Sequence, residues 1–428
     1  MLKRTIFAAG LAALLCGASA QAVELTIWAP ANFTPGAGLA GVAEAYKKLY
    51  DQFQQENPDI QIKFEVLAGG TEALQHILTA ASAGNLPDLG VVDGFWVPRL
   101  VEGGMLQPLD DLWPETDRAD FYPAVIDSVK VDDKIYGLWF YNAWRGLYYD
   151  ADFMAELGVS QPPGSWDQLL AFGEVARKAG TSAVMFPGSA SELTTLHMLS
   201  MFWGLGGDLV DDSGKPIFFE GENRTALEKV YGLYRELAER GFMPDSIATM
   251  DENAIRPFFY TRETALVAQS SSSINQIFTD QPAMKGRLGA INYPLPDGKT
   301  AVPVLVGWTY GIFAEDKERR DAAWKFVAFV TRPDNLGMLN EVQGQLPVRK
   351  SIWDSRAYFS NDPLMKQFKG IFDSGGMKPR PAVPIYPALS AALARQMSEV
   401  VTGKMTPAQA VDAARDAVMP EYARMTSR

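Results

Sequence analysis

Cysteine is almost absent from this 428-residue chain, and the only one, Cys16, lies in an N-terminal stretch with its own logic. "MLKRTIFAAGLAALLCGASAQA" has a basic start at Lys3 and Arg4, an apolar run over residues 6–15, and then small residues. Ala18-Ser19-Ala20 and Ala20-Gln21-Ala22 both fit the small-x-small cleavage rule, so residues 1–22 read as a secretory signal peptide. The run is too short for a membrane span, and no later run is long enough for one. Leu15 stands where a lipid-attachment signal wants a small residue, which disfavours lipidation of Cys16. Once this segment is removed the mature chain has no thiol. It can then form no disulfide, no cysteine metal site and no cysteine nucleophile.

Other absences narrow the function further. There are only two histidines, His76 and His197, and they form neither an H-x-x-x-H nor an H-E-x-x-H pair. His76 falls inside a predicted helix and reads as structural. No G-x-S-x-G elbow, P-loop or dinucleotide fingerprint occurs, so no cofactor or metal is implied. Basic runs are missing too. The net charge is −12, and it becomes −14 when Lys3 and Arg4 leave with the leader. Such a surface is repelled by phosphate backbones, which argues against nucleic acid as a partner. There is no internal repeat, low-complexity tract or flexible linker.

What is present reads as an α/β chain. "VELTIWAP" and "IQIKFEVL" alternate as strands do, and "LPDLGVVDG" ends a third strand. Residues 40–56 form a predicted helix. "GGTEALQHILTAASAGN" forms another, with Thr71 as its cap and Gly84-Asn85 as its stop. Strand, helix, strand, helix, strand at this spacing implies a parallel sheet with crossover helices. "YGLWFYNAWRGLYYD" is aromatic-rich and strand-like. Trp166–Lys178, 225–240 and 317–331 read as helices, "ETALVAQSSSS" as a strand entering a polar turn, and "TAVPVLVGWTYGIFA" as a further strand.

Six segments, in order, resemble the extracellular solute-binding proteins of bacterial ABC importers, in the branch that binds maltose, other sugars and glycerol phosphate. They are "LTIWAP", "YDQFQQENPDIQIKF", "ILTAASAGNLPDLGVVDG", "RGLYYDADFMAELGV" with "SWDQL", "VGWTYGIFAEDKERRDAAWKFVAFVTRPDN" leading to "GQLPVRK", and "TGKMTPAQA". Together they span nearly the whole mature chain. The resemblance implies a two-lobed α/β fold with a ligand cleft between lobes joined by crossing strands. The expected lobes are residues 23–140 with 308–345, and 141–307 with 346–428. The chain would cross near 140–145, near 302–308 and after Gln345.

In open α/β sheets ligands sit beyond the carboxyl ends of strands. "PANF", "GGTE", "DGFW", "SSSS" and "WTY" lie at such ends. Sugar rings offer C–H faces that lie on aromatic plates, and hydroxyls that need fixed donors and acceptors. Asp93 is therefore expected to accept hydroxyl hydrogens, with Phe95 or Trp96 stacking. Thr71 and Glu72 open a helix at the same edge, although Glu72 also simply complements the helix N-terminus. Asn142, Trp144 and Arg145 lie at the first crossing. Trp308 lies at the second, beside Gly307, whose missing side chain lets a ligand approach the backbone. Trp203 reads as packing first and cleft second, and Trp28 reads as core. Ser271 in the serine turn, Gln345 and Arg380 complete the candidates. Arg145 and Arg380 also suit an anion. The glycerol-phosphate relatives place an arginine in the C-terminal segment, near but not on Arg380.

The function implied is binding rather than catalysis. A monomer would close on a sugar and deliver it from the periplasm to a permease with its ATPase. The alternatives are a secreted glycosidase using Asp93 and Glu72, a polyol or glycerol-phosphate binder, and a sensor.

Overall fold

A computed structural model describes residues 22–427 except 68–70, 297 and 374–375. The leader, Cys16 and the glycines of "GGTE" lie outside the described residues. The strands of the first half are β1 Val23–Pro30, β2 Ile60–Leu67, β3 Leu89–Asp93, β4 Lys130–Val131, β5 Lys134–Ile135, β6 Leu138–Trp139 and β7 Arg145–Asp150. Those of the second half are β8 Ser182–Met185, β9 Thr264–Ser270, β10 Leu288–Ile291, β11 Val304–Leu305, β12 Trp308–Ile312 and β13 Lys378–Pro379.

Two sheets organise the molecule. The first has the order β2-β1-β3-β12-β6. β1 runs parallel to β2 and β3, whereas β12 is antiparallel to both β3 and β6. The second has the order β10-β7-β9-β8, with only the β8–β9 pair parallel. β4 and β5 form a small hairpin, and β11 pairs with β13.

Helices cover both sheets for reasons visible in their sequences. Ala40–Glu56 places Tyr46, Tyr50 and Phe53 on one side, and all three are buried. Phe53 meets Phe326 and Phe329 of the helix Lys317–Val330 edge-on, with ring centroids 5.3 Å away in each case. Each buried ring of this kind contributes about 1.5–3 kcal/mol. Helix starts are capped by side chains: Ser165 accepts from Gln168 N, Asp316 from Arg319 N, and Thr406 forms a capping box with Gln409. The helix Glu192–Gly204 has ten buried residues spread around its circumference, as a core helix must. No helix among the described residues is long and apolar enough to cross a membrane.

The aromatic run after Gly137 does not form one strand. β6 belongs to the first sheet and β7 to the second, and the residues between them cross from one to the other. Asn142 causes the break. Its backbone bridges to Leu346, its Oδ1 accepts from Val306 N at 3.0 Å, and its Nδ2 donates to Met377 Sδ at 3.2 Å. One buried side chain thus ties three crossing segments, and Asn340 adds a hydrogen bond to the Phe140 carbonyl at 3.0 Å. "TAVPVLVGWTYGIFA" likewise splits, into β11 and β12.

Candidate binding cleft

β3 ends by presenting Asp93, whose carboxylate accepts from Phe95 N at 3.3 Å and so turns the chain into the short helical turn Gly94–Trp96. Gly94 is required by close approach. Its N–H donates to the Gly307 carbonyl at 3.3 Å, and a Cβ there would lie 2.0 Å from Trp139 Cζ2. Gly94→Ala is expected to cost about 1–3 kcal/mol by overpacking. Urea unfolding checks this, and an unchanged midpoint would refute the packing argument.

The turn delivers two rings to the space between the sheets. Trp96 meets Trp308 edge-on at 5.5 Å, and Trp308 leans on Phe33 at 5.7 Å. Phe95 meets Tyr386 at 5.6 Å. The Arg380 guanidinium lies over the Phe95 ring, 4.0 Å from its centroid.

Arg380 is the polar centre. Its Nη2 donates to Asp93 at 2.6 Å and its Nη1 to Glu192 at 3.2 Å. Glu192 opens its helix and also accepts from the hydroxyls of Tyr386, at 2.8 Å, and Ser390. Burial pushes the Asp93 carboxyl above its usual range and nearby Glu192 adds to this, while Arg380 pulls the other way. Burial works against the charge on Arg380, but the two carboxylates outweigh it and hold the guanidinium protonated. These groups line a cavity of about 310 Å³ together with Leu74, Ser191 and Pro387. A second cavity of about 350 Å³ shares Phe95 and Arg380 with it.

The structure brings Asp93, Phe95, Trp96 and Arg380 together at this cavity, with Trp308 beneath Trp96. It places the remaining candidates elsewhere. Trp144 is fully buried against Phe368 at 5.0 Å and donates to Asn292 Oδ1 at 3.1 Å. Arg145 turns inward, its Nε 2.9 Å from Glu252 Oε2. His197 Nε2 lies 2.8 Å from the same oxygen, and its Nδ1 bonds Tyr293. Asn142 is consumed by the crossing. The room beside Gly307 is filled by the Tyr141 carbonyl, 2.4 Å from where a Cβ would sit, so it is no opening for a ligand.

Trp203 is buried with Lys378 Nζ over its ring at 5.3 Å. Ser271 is buried at the turn after β9, and its hydroxyl lacks a partner among the described residues. Gln345 is buried and donates to Gln343. Glu72 is exposed in the first helical turn, while the Thr71 side chain lies outside the described residues. Trp28 is core, as its place in β1 suggests, and His76 leans on its ring at 4.8 Å. Sequence reasoning missed Glu192, Tyr386 and Ser390. A serine-glutamate pair opening a helix, "SASEL", was the one available signal for Glu192. Among the described residues no cluster of His, Cys, Asp and Glu could hold a metal.

Comparison with known proteins decides the family. The profile of the bacterial extracellular solute-binding proteins matches residues 36–336. This chain belongs to that family. A binding protein of Brucella abortus (strain 2308) is 24% identical over 401 residues, 93% of each chain. The maltotriose-binding protein of Pyrococcus abyssi is 24% identical over 334 residues, covering 76% of this chain and 68% of its own. The sugar-binding protein MalE of Xanthomonas citri superposes with a TM-score of 0.79 at 22% identity, over 95% of this chain and 100% of that one. The two sheets described above are thus the two α/β lobes of a periplasmic-binding-protein fold. This solute-binding family comprises binding proteins, not enzymes.

Proposed function

We propose that this chain is the periplasmic receptor of an ABC importer, that it closes on a sugar or a related polyhydroxy solute, and that it passes this solute to a membrane permease driven by an ATPase. The observation that carries the reading is the cavity at Arg380. Aromatic rings from Phe95, Trp96 and Tyr386 face carboxylates and hydroxyls already fixed by hydrogen bonds. Fixed acceptors suit sugar hydroxyls, because a buried hydroxyl left unpaired costs ~1–3 kcal/mol. Apolar plates suit the ring faces.

The lobes in this reading are residues 23–140 with 308–345, and 141–307 with 346–428. They close by bending where Asn142 ties the crossing segments. The solute stabilises the closed form through contacts made only there. Residues 1–22 export the chain, which works as a monomer without a cofactor.

Intrinsic fluorescence of the mature protein, titrated with sugars and polyols, tests the reading. A saturating change is expected with one solute class, and the solute should be recovered unchanged. Phe95→Ala, which removes a ring that lines the cavity, should weaken that binding about tenfold or more, since a lost aromatic contact costs roughly 1.5–3 kcal/mol. A response that survives Phe95→Ala would place the ligand elsewhere. Release of a hydrolysis product, or silence across the panel from folded protein, would overturn the function.

A further inference from the structure

The balance of charge in the cleft carries the proposed function one step further. The 310 Å³ cavity is lined by two carboxylates, Asp93 and Glu192, and by a single cation, Arg380. That cation is already spent, because each of its two terminal nitrogens faces one of those carboxylates. Its Nε–H is sealed from solvent and has no acceptor among the described residues. The Phe95 ring lies over the guanidinium. Two carboxylates thus outnumber one cation at this cavity before any solute arrives.

The acceptors are not equally used. Both oxygens of Glu192 accept hydrogen bonds, from Arg380 and Tyr386 on one and Ser390 on the other. Asp93 Oδ1 takes Arg380 and the Phe95 amide, but Asp93 Oδ2 takes no donor among the described residues. The free valence of the cavity is therefore a carboxylate oxygen, on a side chain only 14% exposed, that a solute's donor can take. Trp96 and Tyr386 line the same cavity, and aromatic rings attract cations.

The adjoining cavity repeats the sign. Asp127, Asp208, Asp211 and Asp212 line it, against Lys130, Lys378 and the shared Arg380. Both of those lysines are paired, Lys130 with Asp127 and Lys378 with Asp208, at 2.6 Å each. A low-dielectric cleft lined by one sign of charge concentrates solutes of the other.

Resting on the reading of this chain as a polyhydroxy-solute receptor, we infer that its ligand carries a positively charged nitrogen, as an amino sugar or amino polyol does, and that Asp93 receives that nitrogen. Sugar acids and sugar phosphates are excluded by the same carboxylates. An ammonium donor on Asp93 Oδ2 adds the attraction of opposite charges to the hydrogen bond that a neutral hydroxyl also makes there.

The test uses matched series on several sugar skeletons, each as the amine, the parent alcohol and the carboxylate, titrated by fluorescence or calorimetry at pH 7. Within the skeleton that binds, the amine is expected to bind about tenfold more tightly than the parent, and the carboxylate not to saturate. Raising the salt concentration should narrow the gap. Asp93→Asn should bring the affinities for amine and parent together, and Asp93→Glu should keep them apart. Equal affinity of amine and parent, or preference for the carboxylate, would overturn the charge selection and leave the receptor reading standing. An amine preference that persists in Asp93→Asn would overturn the role of Asp93. Failure of every member of every series to bind folded protein would overturn the receptor reading itself.

Discussion

Glu252→Ala is expected to lower the stability of the folded chain by about 3–5 kcal/mol, the usual cost of stripping one partner from a buried ion pair. Glu252 is buried, and so are both groups that lean on its Oε2, Arg145 and His197. Removing the carboxylate leaves a guanidinium with the Ala143 carbonyl, 3.5 Å away, as its other acceptor. Chemical unfolding at pH 7 measures the loss, and a change below about 1 kcal/mol would show that water or a rotated Arg145 fills the gap.

The same cluster fixes how the wild-type chain responds to acid. Burial alone would raise the Glu252 pKa, but the Arg145 charge and the His197 hydrogen bond outweigh it and bring it down to about 2 from an ordinary 4.5. A folded pKa below the unfolded one contributes stability that is complete above pH 4.5 and is lost as pH falls toward 2. The size of that contribution is of order 3 kcal/mol. His197 is shifted downward by burial, against the pull of Glu252, so it folds neutral and the unfolded chain binds its proton first. Its contribution has the same sign and begins to fade below its ordinary 6.5. Acid unfolding should therefore start early and steepen below pH 4.5. In Glu252→Gln the steep part should flatten, and an unaltered profile would assign acid sensitivity to other groups.

Arg380→Ala is the second change with a large expected effect. Among the described residues it removes the only cation that lines the 310 Å³ cavity, and it leaves Asp93 and Glu192 without the charge that pairs with both. A loss of about 3 kcal/mol is expected at pH 7, together with loss of solute binding. The loss should shrink as pH falls. Asp93 already has a raised pKa in the wild type, and without Arg380 it rises further. A carboxyl whose folded pKa lies above its unfolded value holds its proton better when folded, so acid relieves the penalty. Replacing both partners, as Asp93→Asn with Arg380→Met, should restore much of the stability without restoring binding. If the double variant is no more stable than Arg380→Ala, the ion pair is not the source of the loss.

Much of the fold is legible in the sequence because strand and helix periods act locally. "IQIKFEVL" is β2, residues 40–56 form a helix, and so does Trp166–Lys178. Where the reading fails, long-range contacts decide. "YGLWFYNAWRGLYYD" has strand-like composition throughout, yet Asn142 bonds residues 164 and 235 positions away and breaks it. The site divides in the same way. Asp93, Phe95 and Trp96 follow a strand end, which marks them locally. Trp144 and Arg145 carry the right chemistry at a plausible place, but alternation along β7 and the distant partners Glu252 and Asn292 turn them into the second lobe. Glu192, Tyr386 and Ser390 meet Arg380 only because two helices pack side by side, and no spacing in the chain announces that.

The position of β12 has a consequence for how such a chain is made. β12 is the link between β3 and β6, so the edges of both stay open until residue 312 has been synthesised. A ribosome delivers β1, β2 and β3 early, yet the sheet they belong to cannot be completed until the second sheet's four strands have already emerged. Contacts so distant in sequence form slowly. Vectorial synthesis thus keeps the leading part of the polypeptide unfinished for most of its length, and an unfinished chain is one that can still be threaded.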